Sequence, residues 1–172
     1  MLFKIIGALL IIGGACTVGI SADIRLRRRI ECLNAWVSAL SIINAEVTCR
    51  LSTLPEIMRL LSKRGDILST FFSSCADGLS AYDRETFIYI WTRALRASVS
   101  ITGLLPQDVE ILSQVGMTLG RYDSEQQSSE LISAQGRLLL AAGEAVRERE
   151  KKGKIYKALG LTGGIGIVLI FI

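Results

Sequence analysis

The sequence KKGKIYKALGLTGGIGIVLIFI, residues 151–172, decides the architecture that we predict for this chain. Its first seven residues include four lysines, and the next fifteen, 158–172, carry no charge. The N-terminus mirrors this pattern, because the eighteen residues 5–22 (IIGALLIIGGACTVGISA) are uncharged and four arginines follow closely. As helices, these C- and N-terminal runs would measure about 22 Å and about 27 Å, against roughly 30 Å for the hydrocarbon core of a bilayer. We therefore predict transmembrane helices over 1–22 and 158–172, with one domain over 23–157.

Three other interpretations of the N-terminal run are less favoured. A cleaved secretory signal has an apolar region of about 7–15 residues before a polar chain, whereas this run continues past its small-residue candidate, Gly13-Gly14-Ala15. A lipoprotein signal ending at Cys16 would need a larger aliphatic residue at Gly13 and a polar continuation. Two core helices of a soluble domain would not both lie at the extremes of the sequence beside dense positive charge.

Positive charge is concentrated beside the two runs. Residues 30–146 carry nine Lys or Arg against thirteen Asp or Glu, so the middle is mildly acidic although the whole chain has a net charge of +4. This distribution argues against nucleic-acid binding. Because basic residues near a membrane stay on the cytoplasmic side, it predicts a cytoplasmic domain with both termini across the membrane. A specific site for anionic lipids is an alternative role for these side chains. The predicted membrane-boundary residues are Arg25, Arg27, Arg28, Arg29, Lys151, Lys152, Lys154 and Lys157.

Between the two runs, apolar residues recur in the steps of three and four that are typical of amphipathic helices. The first stripe extends from Leu26 to Leu51, and no Gly or Pro separates it from the N-terminal run. Capping signals predict further helix starts near Thr53-Leu54-Pro55-Glu56, Asp66, Pro106 and Asp123-Ser124-Glu125-Gln126.

The remaining segments complete an all-α prediction. We expect a helix over Tyr82–Ala97, a connector over Ser98–Leu105, and a last helix of more than thirty residues that continues into the C-terminal run. The domain is then a bundle of about six helices. Its first and last helices are long, antiparallel and continuous with the transmembrane helices, because both must return to one membrane.

The composition offers little for catalysis. The chain has no histidine, and its four cysteines (Cys16, Cys32, Cys49 and Cys75) show no C-x-x-C spacing and are best explained as small buried hydrophobes. Carboxylates such as Glu148 and Glu150 lie two residues apart, so they point in different directions on a helix. We predict no catalytic residue, metal or cofactor, and no enzyme. A small-molecule or signal-sensing membrane domain is the alternative function, and an enzyme acting at the membrane is less favoured.

Glycines in the terminal runs form two spacings of small residues, Ala15-x-x-x-Gly19 and Gly160-x-x-x-Gly164. Such spacings allow close packing of helices in lipid. Glycine is also simply common in membrane helices, so packing is a hypothesis at this point.

Three stretches together carry a family resemblance: the TLPE turn at 53–56, LSQVGMTLGRYDSEQQ at 112–127, and the ending at 151–172. They resemble the stage III sporulation protein AB family of endospore-forming Firmicutes, along essentially the whole chain. The most specific element is L-G-x-x-D-x-x-x-Q, formed by Leu119, Gly120, Asp123 and Gln127. The serine- and cysteine-rich stretch around Ser69–Ser80 departs from the family's more usual Glu and Ala.

The resemblance implies a component of a secretion-like channel in the mother-cell membrane facing the forespore, with a domain like that of type II secretion platform proteins. The implied partners are a secretion-type ATPase, stage III sporulation protein AA, and the other stage III channel components, possible oligomers included. No catalytic residues carry over. The motif at 119–127 has two open interpretations: a structural elbow between two helices, which we favour, or a contact surface.

Overall fold

A computed structural model describes the backbone of residues 2–81, 85–119 and 124–171, and the side chains of residues 23–81, 85–119 and 125–153. Within these ranges the chain is all-α, without strands, which confirms the predicted fold class. A short π-helical segment, Glu46–Arg50, extends the first helix. The α-helices are α1 (Leu2–Ala45), α2 (Leu54–Ser62), α3 (Ser69–Ser80), α4 (Phe87–Thr102), α5 (Pro106–Thr118) and α6 (Ser124–Phe171).

The two long helices, α1 and α6, pack against each other in antiparallel orientation. Asp23 accepts a hydrogen bond from Arg149 at 2.7 Å, and the carbonyl of Val37 accepts one from the Gln135 amide at 3.2 Å. Residue numbers on α6 therefore decrease along the pair as those on α1 increase, so the two helices are antiparallel, as predicted. The backbones of both helices continue without a break into the terminal runs, so the two runs leave the bundle at the same end.

An aromatic cluster fills the centre of the bundle. The ring centroid of Phe71 lies 4.9 Å from the ring centroids of both Trp36 and Trp91. Both contacts are edge-to-face, an arrangement that the quadrupoles of the rings make favourable. Trp91 also donates a hydrogen bond from Nε1 to the carbonyl of Leu112 at 2.9 Å. Gly116 is required beside it, because a Cβ at that position would lie 2.3 Å from the Trp91 ring. Close packing of α4 on α5 thus depends on this glycine.

The predicted start of α2 is confirmed. One carboxylate oxygen of Glu56 accepts hydrogen bonds from both the backbone N–H and the hydroxyl of Thr53, each at 2.8 Å. These bonds, the backbone one foremost, lower the pKa of Glu56. Pro55 lies in the first turn, where an N–H has no helical partner. The local sequence therefore begins this helix without help from tertiary contacts.

The position of α4 differs from the prediction. The helix begins at Phe87, after the extended residue Thr86, and it includes most of the stretch expected to be a connector. The Thr102 hydroxyl donates to the Ser98 carbonyl at 2.9 Å, so these polar residues bond within the helix rather than ending it. Gly103 ends it with a left-handed φ of 71°.

The end of α1 also differs from the prediction. The α-helix stops at Ala45, and the π-helical segment leads to Leu51, which has a left-handed φ of 52°. Leu51 was expected on the buried stripe but is 75% exposed. The buried carboxylate of Glu46 organises this turn, because it accepts hydrogen bonds from Arg50 at 2.8 Å and from Ser52 at 2.7 Å.

A buried ion pair joins α1 to the start of α5. Arg29 donates from Nε and Nη2 to the two oxygens of Asp108 at 2.8 and 3.0 Å, and both side chains are buried. Asp108 also accepts the backbone N–H of Leu105 at 2.9 Å, which caps α5. One carboxylate therefore holds both a helix terminus and a buried cation.

We expect Asp108→Ala to destabilise the fold by about 3–5 kcal/mol, since it leaves the Arg29 guanidinium buried without its partner. Unfolding of the full chain in detergent, followed by circular dichroism, would measure the change. The matched control is Glu148→Ala, which removes the exposed pair with Lys152 and should cost about 0.5 kcal/mol or less. Equal effects of the two substitutions would contradict the structural role of Arg29–Asp108.

The described cysteines differ in their exposure. Cys32 and Cys75 are fully buried, as predicted, whereas Cys49 is exposed. Burial raises the pKa of Cys32 and of Cys75 to about 12. Both thiols therefore stay protonated at neutral pH, and the thiolate is the reactive form.

We expect a maleimide at pH 7.5 to label Cys49 in the folded chain and to label Cys32 and Cys75 only after denaturation. Mass spectrometry of proteolytic fragments would locate each adduct. Rapid labelling of Cys75 in folded protein would show that α3 opens readily, contrary to the packing described above.

Candidate functional site

One end of the bundle concentrates positive charge. Residues 23–29 of α1 and 147–153 of α6 lie side by side, joined by the hydrogen bond between Asp23 and Arg149. Together they carry eight Arg or Lys residues against three Asp or Glu. We call these two segments the basic end. Both terminal runs depart from it.

Most of the predicted boundary residues that the structure describes lie on the surface of this end. Arg25, Arg28 and Lys151 are exposed. Arg27 is exposed and pairs with Asp23 at 2.8 Å, while Lys152 is half-buried and pairs with Glu148 at 2.7 Å. Lys154 and Lys157 lie outside the residues whose side chains are described.

Arg29 differs from the rest of its cluster. It is 4% exposed and bound to Asp108, so its charge is neutralised inside the bundle instead of facing outward. The reason is its helical position: α1 turns this side chain toward α5. The sequence cluster of four arginines therefore divides into three surface residues and one structural residue.

Two members of the basic end escaped the sequence analysis. Asp23 bridges the long helices, because it accepts hydrogen bonds from Arg27 at 2.8 Å on its own helix and from Arg149 at 2.7 Å on α6. The bond from Arg149 lowers the pKa of Asp23, and the bond from Arg27 acts in the same direction. The i,i+4 spacing of Asp23 and Arg27 was a visible signal, whereas the contact with Arg149 depends on tertiary pairing.

In the described part of the chain, the 28-residue helical segment Asp23–Arg50 is a candidate membrane span by length and composition, because a stretch of 18 residues within it has a mean hydropathy of 1.2. Leu33, Trp36 and Leu40 of this segment are fully buried by the other helices, whereas Ile24 is 44% exposed. Packing in the bundle core accounts for this hydropathy. The terminal runs themselves lie outside the described side chains.

The other end of the bundle holds part of the L-G-x-x-D-x-x-x-Q motif. Leu119 and Gln127 are buried, at 3% and 8% exposure, which favours a structural role for these two residues. Gly120 and Asp123 lie outside the described residues, so the predicted caps stay predictions. The small residues Ala15, Gly19, Gly160 and Gly164 likewise fall outside the described side chains.

Among the described residues, no cluster of three His, Cys, Asp or Glu could hold a metal ion.

Comparisons with known proteins agree with this architecture. A family model described as stage III sporulation protein AB matches residues 4–172. The stage III sporulation protein AB of Bacillus subtilis (strain 168) is 24% identical over 170 residues, which cover 98% of this chain and 99% of that protein. A solved structure of a stage III sporulation protein AB shares the fold, with a TM-score of 0.66 at 22% identity, covering 72% of this chain and 98% of that one. The chain therefore belongs to the stage III sporulation protein AB family.

Proposed function

We propose that this sporulation protein is a non-enzymatic membrane platform in a secretion-like channel between mother cell and forespore. In this proposal, the terminal runs 1–22 and 158–172 cross the mother-cell membrane facing the forespore. The helical domain, 23–157, lies in the cytoplasm and docks a secretion-type ATPase, stage III sporulation protein AA.

The basic end is the observation that supports anchorage most. Two unbroken helices leave the bundle at one end, and seven basic side chains that are not buried surround their exits, since Arg29 is bound inside the bundle. The N-terminal uncharged run has nearly the length of a bilayer core. The C-terminal run is shorter and would need Tyr156 at the interface, Lys157 reaching to the headgroups and local thinning of the bilayer. The phosphate groups of anionic lipids on the cytoplasmic side of the membrane would attract this end. Its basic residues would therefore both orient the domain and hold it against the membrane.

A soluble ATPase would most readily reach the opposite end of the bundle. The turn at Leu51 lies there, at the far end of α1 from Asp23, and it presents a large aliphatic side chain that is 75% exposed. Its left-handed backbone costs of order 1–3 kcal/mol, and the Glu46 hydrogen bonds hold it in place. An exposed leucine held in one place by these bonds would bury apolar area against a protein partner.

The alternative function, a small-molecule or signal sensor, has weaker support. An open surface depression of about 530 Å³ is lined by Thr86, Ile88, Tyr89, Thr92, Arg93 and Arg96. All six belong to one helix and the residue preceding it, whereas ligand pockets enclose most of their ligand between several elements. A surface depression of this kind would hold a ligand loosely.

Membrane anchorage predicts that the full chain stays in the membrane pellet after washing with alkaline carbonate. It also predicts that tags at both termini are reached by protease from outside spheroplasts, because basic residues keep the domain inside. Western blotting of a tag inserted between Ala81 and Glu85 supplies the control, since that tag should stay protected. Release of the chain by carbonate, or protection of the terminal tags, would contradict the proposal.

Docking at the far end predicts that Leu51→Asn weakens binding of the ATPase to the detergent-solubilised chain by about tenfold or more. Asparagine tolerates the left-handed backbone but removes the aliphatic group. Leu60→Asn on α2, which is 44% exposed, is the matched control and should bind normally. Binding of the ATPase to each variant, immobilised on a sensor surface, would measure the two dissociation constants. Equal binding by the two variants would move the contact elsewhere.

A further inference from the structure

The surface beside the basic end includes a segment without charge. Residues 97–107 (ASVSITGLLPQ) have no charged side chain, and they form the end of α4, a short loop and the start of α5. Within this segment, Ile101 is 63% exposed and Leu105 is 40% exposed. Single exposed aliphatic residues are common on proteins, so the position of these two in the fold decides what they indicate.

The loop between α4 and α5 is fixed against the first residues of the basic end. Gly103 has a left-handed φ of 71°, and a Cβ there would lie 3.1 Å from the carbonyl oxygen of Arg25. At the other end of the loop, Asp108 binds the buried guanidinium of Arg29 and accepts the backbone N–H of Leu105 at 2.9 Å. Backbone packing and a buried ion pair therefore hold the loop beside α1.

The contact with Arg25 places the loop close to the end of the N-terminal run. Arg25 follows Ala22, the last residue of the uncharged run 5–22, by three positions in the unbroken helix α1. Three positions are about 4.5 Å along a helix axis. The headgroup layer on each side of a bilayer is about 5–8 Å thick, because the hydrocarbon core measures about 30 Å and the whole bilayer about 40–45 Å. Where the run crosses a membrane, the loop at Gly103 falls within the headgroup layer.

The charges around the loop suit anionic lipid. Arg25 and Arg28 are exposed on this part of α1, whereas Asp108, the carboxylate that follows the loop, is buried against Arg29. Basic side chains beside apolar ones are typical of surfaces that bind at the membrane interface, and anionic headgroups attract such basic residues. A protein partner would have to enter the same layer of headgroups to cover Ile101. The position therefore favours lipid.

We propose that the α4–α5 loop is a third membrane contact of this chain. Ile101 and Leu105 insert their aliphatic side chains between lipid headgroups and the upper part of the acyl chains, and Arg25 and Arg28 bind lipid phosphates. The inference rests on the proposed function, because it requires the N-terminal run to cross the membrane. Two helices alone allow the domain to tilt about their exits, whereas a contact beside the α1–α6 pair fixes the tilt.

Fluorescence quenching by lipids tests the proposal. In the full chain with Cys16 and Cys49 replaced by serine, Ile101→Cys or Leu105→Cys is labelled with the fluorophore NBD, and the two buried cysteines stay unlabelled in the folded protein. The chain is reconstituted into vesicles of phosphatidylcholine and phosphatidylglycerol. Some vesicles contain a lipid with a spin label near the top of its acyl chain, and others contain a lipid with the spin label on its headgroup.

The matched control is Met117→Cys on α5. Met117 is 51% exposed, and it lies twelve positions beyond Leu105, which is about 18 Å along a helix. We expect the acyl-chain label to quench NBD at Ile101→Cys and Leu105→Cys about threefold or more as strongly as at Met117→Cys.

Two results would overturn the inference. One is equal quenching at all three positions, which would also be the result if a protein partner rather than lipid covered the loop. The other is stronger quenching by the headgroup label than by the acyl-chain label at both loop positions, because the loop would then lie above the lipids without entering them. Flotation of the vesicles separates these results from failure of the proposed function. A chain that floats without this quenching leaves membrane anchorage intact, whereas a chain that does not float overturns both.

A second variant tests the native side chain of Ile101. With NBD at Leu105→Cys, Ile101→Asp should lower quenching by the acyl-chain label by about twofold or more, since a charge is costly among acyl chains. Ala97→Asp, exposed one turn earlier on α4, adds the same charge further from the membrane and should have a smaller effect. The thermal unfolding midpoint should stay unchanged in both variants. Unchanged quenching in Ile101→Asp would contradict insertion of this side chain.

Discussion

Asp23 and Arg149 meet at one end of the α1–α6 pair, and Val37 and Gln135 meet further along it. This antiparallel contact joins residues that are 126 and 98 positions apart in sequence. It places the two exits of the bundle together, so that both terminal runs can enter one membrane. The shorter helices, α2 to α5, fill the space beside this pair and surround the cluster of Trp36, Phe71, Phe72 and Trp91. Without the pairing, neither the basic end nor the opposite end would exist as a surface.

The arginines that follow the N-terminal run illustrate how a cluster in sequence can serve two purposes. Arg25, Arg27 and Arg28 contribute charge to the surface, while Arg29 points into the bundle and binds Asp108. Asp108 in turn caps α5 through Leu105, and Gly103 allows the preceding loop to lie against α1, since a Cβ there would be 3.1 Å from the Arg25 carbonyl. The loop before α5 is thus fastened to the basic end.

The described glycines of the bundle differ in what a Cβ at each position would contact. Gly116 makes room for Trp91 within the chain, whereas Gly136 and Gly143 lie on an open face that no other helix of the described domain covers. Glycine lowers helix stability relative to alanine, and no packing contact in the described domain offsets this loss at Gly136 and Gly143. Together with the exposed Ile132, Leu139 and Leu140, they give α6 apolar residues on two faces, of which its own bundle covers one.

The sequence by itself determined the features that depend on neighbours along the chain. Periodicity identified the helices and the Thr53–Glu56 pair started α2, because helical periodicity and capping act within a few residues. The bounds predicted for α4 were wrong, since the hydroxyls of Ser98 and Thr102 can bond inside a helix as well as end one. The predicted burial of Leu51 was also wrong, since a single leucine at the end of a stripe does not reveal its exposure. Only the tertiary structure paired Arg29 with Asp108, 79 residues away, and Asp23 with Arg149. Such contacts depend on how two helices rotate against each other, and helix rotation is decided by packing of the whole core rather than by any local stretch.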